Sequence, residues 1–125
     1  MDAREIGRAA EAAVARWLEL RGFDVLERNV RLQRGELDLV AHRSGVTWFV
    51  ESKCRSRSDV GPPHRAADRR KRTALFAAAM EYRHRRRLVG DFGFLVASVV
   101  WASGHPEPII EVSRLPMTPH GRPGT

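Results

Sequence analysis

The chain has 125 residues, which is one domain's worth of sequence and enough to bury a single hydrophobic core. Its composition, 42% hydrophobic with three Trp and five Phe, excludes a chain that is disordered throughout. No apolar run approaches the roughly 20 residues of a membrane helix, and the charged N-terminus predicts no secretory signal. With Cys54 as its single cysteine, we expect a cytoplasmic protein without a disulfide framework and without a membrane partner.

The formal net charge of +7 comes from one segment of the chain. Residues 65–87 hold nine basic and two acidic side chains, whereas the rest of the sequence is balanced. Such a cluster indicates a surface for nucleic acid, and a solvated helix face is the alternative. The basic side chains of this segment, all candidates for nucleic-acid binding, are Arg65, Arg69, Arg70, Lys71, Arg72, Arg83, Arg85, Arg86 and Arg87.

Hydrophobic periodicity predicts two helices and five strands. The first helix spans 3–21, where apolar residues recur at spacings of three and four, and the second spans 65–87. Alternation and strand-forming residues predict strands at 23–31, 36–42, 47–54, 92–101 and 109–115. Serine, glycine and proline predict a loop at 55–64.

The order α-β-β-β-α-β, with a further strand at the end, predicts an α/β or α+β fold in which helices flank one mixed sheet. This domain covers residues 1–115 and is followed by a flexible Pro/Gly-rich tail at 116–125. We expect Cys54 and the three tryptophans to belong to the core.

Four charged side chains fall on the second and third strands. Glu36 and Asp38 share one face of their strand, as do Glu51 and Lys53, because side chains two apart point the same way. A two-residue turn at 44–45 would set Asp38 opposite Glu51, whereas a three-residue loop would spoil this register. Opposed carboxylates repel, and a hard divalent cation between them would reverse the sign of that interaction.

Lys53 completes this set, and it is one of only two lysines in the chain. An ammonium group beside a bound metal neutralises the developing charge of a phosphate or orients an attacking water. The alternative is an edge hairpin with solvated charges and a cross-strand pair between Glu36 and Lys53.

The segments GELDLVA at 35–41 and FVESKCR at 49–55 follow an amphipathic helix that carries Glu11. Together they resemble the YraN-like family of small restriction-endonuclease-like proteins. That family is similar to the archaeal Holliday-junction resolvases and to the wider PD-(D/E)XK nuclease superfamily. The resemblance covers residues 5–100 and includes Lys71, Leu75 and Tyr82 of the second helix.

The resemblance implies a restriction-endonuclease-like core in which Asp38 and Glu51 bind Mg²⁺ or Mn²⁺. It implies that Lys53 is the catalytic lysine and that Glu11 reaches the site. We expect Glu36, on the same strand face as Asp38, to support the metal ligands. The sequence departs from the family at Ser52, where valine is usual. It departs again at 91–93, where Asp-Phe-Gly stands in place of Arg-Phe-Asp.

The leading interpretation is therefore a domain that binds nucleic acid, in the first place DNA of branched or damaged form, and cleaves phosphodiesters with Mg²⁺. One alternative is a binding module on the same fold without cleavage. A second is a basic interaction protein that associates with the ribosome or another complex. By analogy with junction resolvases, which make two symmetric cuts, we expect a homodimer.

Overall fold

The computed structural model of the chain describes residues 2–55, 65–102 and 104–117, and of residues 55 and 65–68 it describes the main chain alone. Its elements in chain order are α1 Ala3–Leu20, β1 Asp24–Arg31, β2 Glu36–Arg43, β3 Val46–Arg55, α2 Arg65–Arg85, β4 Asp91–Val100 and β5 Ile109–Arg114. The α+β class, the order of elements and the final strand are confirmed.

Two predicted segments fall mostly outside this description. Residues 56–64 of the predicted loop and 118–125 of the predicted tail lie outside the described residues. Met117, which the sequence analysis places in the tail, packs against the hydrophobic core. Neither helix within the described ranges combines the length and the apolar character that a membrane crossing needs.

The five strands form one mixed sheet in the order β1-β2-β3-β4-β5. Only β3 and β4 run parallel, and all other neighbours are antiparallel. Parallel neighbours need a crossover connection, and the segment that contains α2 supplies it. The crossover leaves the sheet at the end of β3, which is where the sequence analysis placed Glu51 and Lys53.

The two helices cover opposite faces of the sheet. On one face Val14 and Leu18 of α1 pack against alternate strand residues, a cluster that we call the α1-side core. On the other face Leu75 and Tyr82 of α2 pack against the intervening strand residues, the α2-side core. Because both faces are buried, β4 needs the nearly continuous apolar sequence from which it was predicted.

A two-residue turn fixes the pairing of β2 with β3. Ser44 and Gly45 both have left-handed backbone angles, with φ of 51° and 79°, as a type I′ hairpin requires. The ladder runs from Arg43 opposite Val46 to Leu39 opposite Val50. This is the predicted register.

The loop between β1 and β2 is pinned to α2. The carboxylate of Glu81 accepts hydrogen bonds from the main-chain N–H groups of Gln33 and Arg34, at 3.1 and 2.9 Å. Gly35 lies so close to the helix that a Cβ atom there would be 3.3 Å from the carbonyl oxygen of Ala74. These contacts set the point from which β2 starts.

Gly93 of β4 lies directly opposite Trp48 of β3, on the face covered by α1. A Cβ atom at position 93 would be 2.5 Å from the indole ring, inside any allowed contact distance. The indole therefore occupies the space that any side chain at position 93 would need.

We predict that Gly93→Ala destabilises the fold by about 1–3 kcal/mol, because it overpacks a filled core. Trp48→Leu should lower the stability by itself, yet the double variant should lose less than the sum of the two single losses. Urea unfolding of the four proteins gives this coupling free energy. Strict additivity would show that the ring does not determine the glycine.

A second prediction concerns Glu81 and pH. Burial raises the pKa of Glu81, but the N–H groups of Arg34 and Gln33 and the guanidinium of Arg85 outweigh it, so the pKa lies below its ordinary 4.5. The charge of Glu81 therefore stabilises the fold above pH 4.5, and this contribution is lost as the pH falls through the lowered pKa.

Glu81→Gln should thus be less stable than the wild type at pH 7, with the gap closing in acid. Thermal melts from pH 7 to pH 3 measure the gap, and Glu107→Gln, at an exposed position, is the matched control. A gap of constant size down to pH 3 would contradict the assignment.

Candidate functional site

Asp38 lies where β2 separates from β3. The ladder between the two strands ends at Leu39 opposite Val50, one residue before the predicted pair of Asp38 with Glu51. Instead, the Oδ2 atom of Asp38 accepts a hydrogen bond of 2.9 Å from the main-chain N–H of Ser52. We call this place, defined by Asp38 and Ser52, the fork. It sets the Asp38 carboxylate beside the main chain that carries Glu51.

The alternation of β2 breaks at the same residue. Leu37 and Val40 both belong to the α2-side core, whereas Leu39 belongs to the α1-side core. A regular strand would put Leu37 and Leu39 on the same face. The break falls at Asp38, whose carboxylate reaches across the fork to the N–H of Ser52.

The neighbouring strand is distorted at the same level. In β1, Arg28 lies opposite Leu39 and Val30 opposite Leu37, and Asn29 between them has φ of 53°. Asparagine is one of the few residues other than glycine that tolerate this left-handed conformation. The distortion of β1 and the break in β2 thus occur side by side.

The charge of Asp38 is held in an unfavourable environment. Burial is the main cause that raises the pKa of its carboxyl group, and the nearby charge of Glu36 adds to it. The hydrogen bond from Ser52 and the ammonium of Lys71 in α2 act in the opposite direction but do not cancel the rise. The hydrogen bond and the nearby ammonium therefore stabilise the ionised form of Asp38 less than burial and Glu36 destabilise it.

Glu11 reaches the fork from α1. Its pKa is also raised, first by burial and then by the charge of Asp38, while a hydrogen bond from the side chain of Asn29 and the charge of Arg28 lower it. The charge of Asp38 raises the pKa of Glu11, so Glu11 lies near the fork. The side chain of Asn29 in β1 donates the hydrogen bond that holds Glu11 there.

Glu51 and Lys53 lie on the other side of the fork from Glu11. Phe49 of the same strand packs in the α2-side core, so strand alternation places Glu51 and Lys53 on the α2 face. Ser52 pairs with Ala97 of the α1-side core and faces the other way. The departure from the family at Ser52 thus does not alter the face on which the charged residues lie.

Glu36 forms an ion pair with an arginine of β1. Its carboxylate forms an ion pair of 3.4 Å with Arg31 in β1, and the β2–β3 ladder does not extend to Glu36. A ladder pair of Glu36 with Lys53 is therefore not formed. Glu36 instead adds negative charge beside Asp38 and Glu11.

The prediction that Cys54 belongs to the core is wrong, because the residue is exposed. The fork explains the difference: the β2–β3 ladder ends at Val50, so β2 does not cover Cys54, four residues further along β3. Trp17, Trp48 and Trp101 are partly buried and pack against the α1-side core, as expected.

The C-terminal part of the basic segment is tied into the fold. Arg83 stacks on Phe92 with 4.0 Å between its guanidinium carbon and the ring centroid. Arg85 pairs with Glu81 at 2.9 Å, and Arg86 forms an ion pair with Glu27 of β1. Arg87 lies beyond the helix and is exposed.

The N-terminal part differs. Arg69, Arg70 and Lys71 are exposed, and among the described residues no ion pair joins Arg69, Arg70 or Arg72 to an acidic side chain. Arg69 and Arg70 line a groove of about 710 Å³ together with Arg34 of the pinned loop. The side chain of Arg65 lies outside the described residues.

Sequence reasoning missed two residues of this site. Asn29 had one available signal, since asparagine in a strand is unusual and suits a left-handed residue. Arg34 had none, because its place beside Arg69 and Arg70 depends on the main-chain bonds that Glu81 makes to the loop.

The carboxylates at the fork are oxygen donors of the kind that hard cations take. Within the described ranges, no group of three or more His, Cys, Asp and Glu side chains converges as a cage for a metal ion. Mg²⁺ does not need such a cage, since it keeps several waters and binds through one or two carboxylates and substrate phosphates. Asp38 and Glu51 fit this requirement.

Comparison with known proteins identifies relatives over most of the chain. Residues 10–99 match the sequence model described as "Uncharacterised protein family UPF0102". A UPF0102 protein of Halorhodospira halophila is 38% identical over 104 residues, which cover 83% of this chain and 82% of the relative. One of Myxococcus xanthus is 40% identical over 98 residues, 78% of each chain. The chain therefore belongs to the UPF0102 family, the YraN-like group that its GELDLVA and FVESKCR segments resemble.

Proposed function

We propose that this protein binds DNA and cleaves phosphodiester bonds in it with the help of Mg²⁺ or Mn²⁺. The observation that carries the proposal is the fork, where a half-buried carboxylate, Asp38, is held by the N–H of Ser52. The charge of Asp38 raises the pKa of Glu11 on one side, and the ammonium of Lys71 on the other side lowers the pKa of Asp38. A strand separation that concentrates charge in this way costs stability, and a function explains the cost.

The fold supports the same interpretation. One sheet with a helix on each face, and a parallel β3–β4 pair joined through α2, is the arrangement expected for a restriction-endonuclease-like domain. The charged pattern, with Asp38 before the hairpin and Glu51 and Lys53 after it, is that of the PD-(D/E)XK nucleases. We therefore propose that the chain is a member of that superfamily.

In this proposal Asp38 and Glu51 hold the metal ion, with Glu11 and Glu36 adding negative charge around it. When bound, such an ion polarises the scissile phosphate and lowers the pKa of a coordinated water. Lys53, two residues after Glu51 on the α2 face, stabilises the negative charge that develops on the phosphate. Glu11, through its hydrogen bond with Asn29, keeps its carboxyl group directed at the fork.

The DNA-binding surface in this proposal is the N-terminal half of α2. Arg69, Arg70 and Arg72, with Arg34 from the loop, supply cations that no described acidic side chain neutralises by an ion pair. Lys71 connects this surface to the fork through its effect on Asp38. Arg83, Arg85 and Arg86 contribute less, because their guanidinium groups already have partners within the fold.

A second candidate is a DNA-binding module of the same fold that does not cleave. Two observations favour it. Trp48 fills the space at Gly93 where the family usually has an acidic residue. Among the described residues, the acidic side chains also form no metal cage of three or more groups.

We propose the cytoplasm as the location, because a single cysteine suits a reducing compartment. That the protein forms a homodimer stays a prediction.

Metal binding should appear in the melting temperature. Because a ligand of the folded state stabilises it by mass action, Mg²⁺ or Mn²⁺ at ten times its dissociation constant adds about 1.4 kcal/mol. Asp38→Asn should be more stable than the wild type without metal, since it removes a poorly compensated buried charge, and should lose the response to metal. Thermal melts with and without millimolar metal measure both effects.

Glu107→Gln, at an exposed position far along the chain, is the control for a general effect of removing a carboxylate, and it should keep the metal response. A wild-type melting curve that is indifferent to both cations would contradict the metal site and favour the non-cleaving module.

Cleavage and binding should separate by position. Lys53→Ala should bind DNA nearly as the wild type does and remove any Mg²⁺-dependent nicking of duplex, flap or four-way-junction substrates. Replacing Arg69, Arg70 and Arg72 by alanine should weaken binding equally on unrelated sequences. It should also flatten the salt dependence of log K by up to about 3 units, since each phosphate contact contributes about 0.9.

Salt-dependent affinity, measured by fluorescence anisotropy, and nicking assays with an EDTA control give the two readouts. Lys53→Arg, which keeps the charge, is the matched control for the lysine. If the triple variant binds with the wild-type affinity and salt slope, this face of α2 is only solvated. If the wild type binds no nucleic acid at all, a basic interaction protein is the better interpretation.

A further inference from the structure

A polar cleft lies between α1 and the start of the sheet, on the opposite face from α2. It measures about 340 Å³ and is lined by Arg4, Gly7, Arg8 and Glu11 of α1 and by Arg31 and Glu36 of the strands. It shares Glu11 with the fork. This cleft could not be predicted from charge pattern, because the formal charge of the chain outside 65–87 sums to zero.

Gly7 is an unexpected residue in this cleft. It lies inside α1, where glycine is less favourable than alanine because it loses more backbone entropy on folding. Its backbone needs no positive φ, and a Cβ atom built on it would meet no heavy atom within 4 Å. Neither backbone geometry nor packing thus explains the glycine. It leaves helix backbone open to close approach from the cleft.

Arg4 and Arg8 flank Gly7, one helical turn apart on the same side of α1. Like charges at this spacing destabilise a helix, and within the described ranges neither arginine makes an ion pair with an acidic side chain. Both lie within the part of α1 that lines the cleft. The arginine pair and Gly7 thus each lower the stability of the unliganded helix, for separate reasons and at the same place.

The net charge of the cleft indicates the charge of the ligand that it binds. Three arginines and two glutamates line it, an excess of one positive charge. Arg31 and Glu36 pair with each other at 3.4 Å, which leaves Arg4 and Arg8 against Glu11. A single phosphodiester carries one negative charge, and arginine matches its oxygens with a planar fork of donors. One phosphate of a nucleic acid strand neutralises the excess.

We propose that this cleft is a phosphate-binding subsite, in which Arg4 and Arg8 hold a backbone phosphate of DNA over the open surface at Gly7. The inference rests on the proposed DNA binding and extends it: the carboxylates of the fork lie between two phosphate-binding surfaces, this cleft on the α1 side and Arg69–Arg72 on the α2 side. DNA then crosses the open edge of the sheet at the fork and contacts both helices.

The test uses the full chain and a fluorescein-labelled DNA duplex in EDTA, with affinity measured over a range of salt. Arg4→Ala combined with Arg8→Ala should weaken binding and flatten the salt dependence of log K by up to about 2 units. Arg16→Ala removes one exposed arginine of the same helix that does not line the cleft; it is the control for the loss per arginine and should leave the slope within half a unit.

Gly7→Ala separates function from folding. It should raise the melting temperature by about 3–5 °C, because alanine is the better helix former, and at the same time weaken DNA binding. A variant that is more stable yet binds less tightly is not explained by damage to the fold. Excess inorganic phosphate should not displace the duplex, since a strand engages many phosphates and the free ion only one.

Two results would overturn the inference while leaving the proposed function standing. One is wild-type affinity and slope in the Arg4→Ala, Arg8→Ala double variant. The other is an equal loss per arginine in the Arg16→Ala control, which would show a general effect of charge. A wild-type protein that binds neither duplex nor single-stranded DNA would instead overturn the proposed function and this subsite with it.

Discussion

The hydrogen bond from the N–H of Ser52 to the carboxylate of Asp38 marks the place on which the rest of the site depends. A side chain takes over the role of a strand partner there, so β2 and β3 part and the edge of β3 opens. The parting exposes Cys54, and it leaves Asp38 between Glu11 on one face and Lys71 on the other. A continued ladder would have buried this edge and closed the site.

Packing around the fork holds it in position from three directions. Glu81 fixes the loop that precedes β2, and Gly35 lets this loop lie directly on α2. On the other side of the sheet, the indole of Trp48 lies against Gly93 and fills the α1-side core. The buried residues of the described core are thus almost all apolar, and the charged groups lie at the end of the strands where β2 and β3 separate. That separation lets a carboxylate such as Asp38 remain partly buried without disrupting the core.

Much of this fold could be predicted from local pattern, because the helices and strands have strong hydrophobic periodicity and are bounded by clear turn residues. The Ser44-Gly45 turn, for example, has the length that set the register of β2 with β3. What could not be predicted depends on contacts between distant residues. The left-handed conformation of Asn29 depends on the pairing of β1 with β2. Strand alternation alone predicted that Asp38 lies opposite Glu51, whereas its carboxylate accepts a hydrogen bond from the main chain of Ser52. The partner of Arg86 could not be identified either, since Glu27 lies far away in the sequence.

The pH titration of the Ser52 amide by NMR tests the central claim most directly, because that N–H donates to the carboxylate in question. If Asp38 is buried at the fork, the Ser52 resonance should shift with a midpoint above 3.8, the ordinary pKa of an aspartate. Mg²⁺ should move this midpoint down, since a bound cation favours the ionised form. A Ser52 resonance that does not titrate, or a midpoint below 3.8 without metal, would contradict the account.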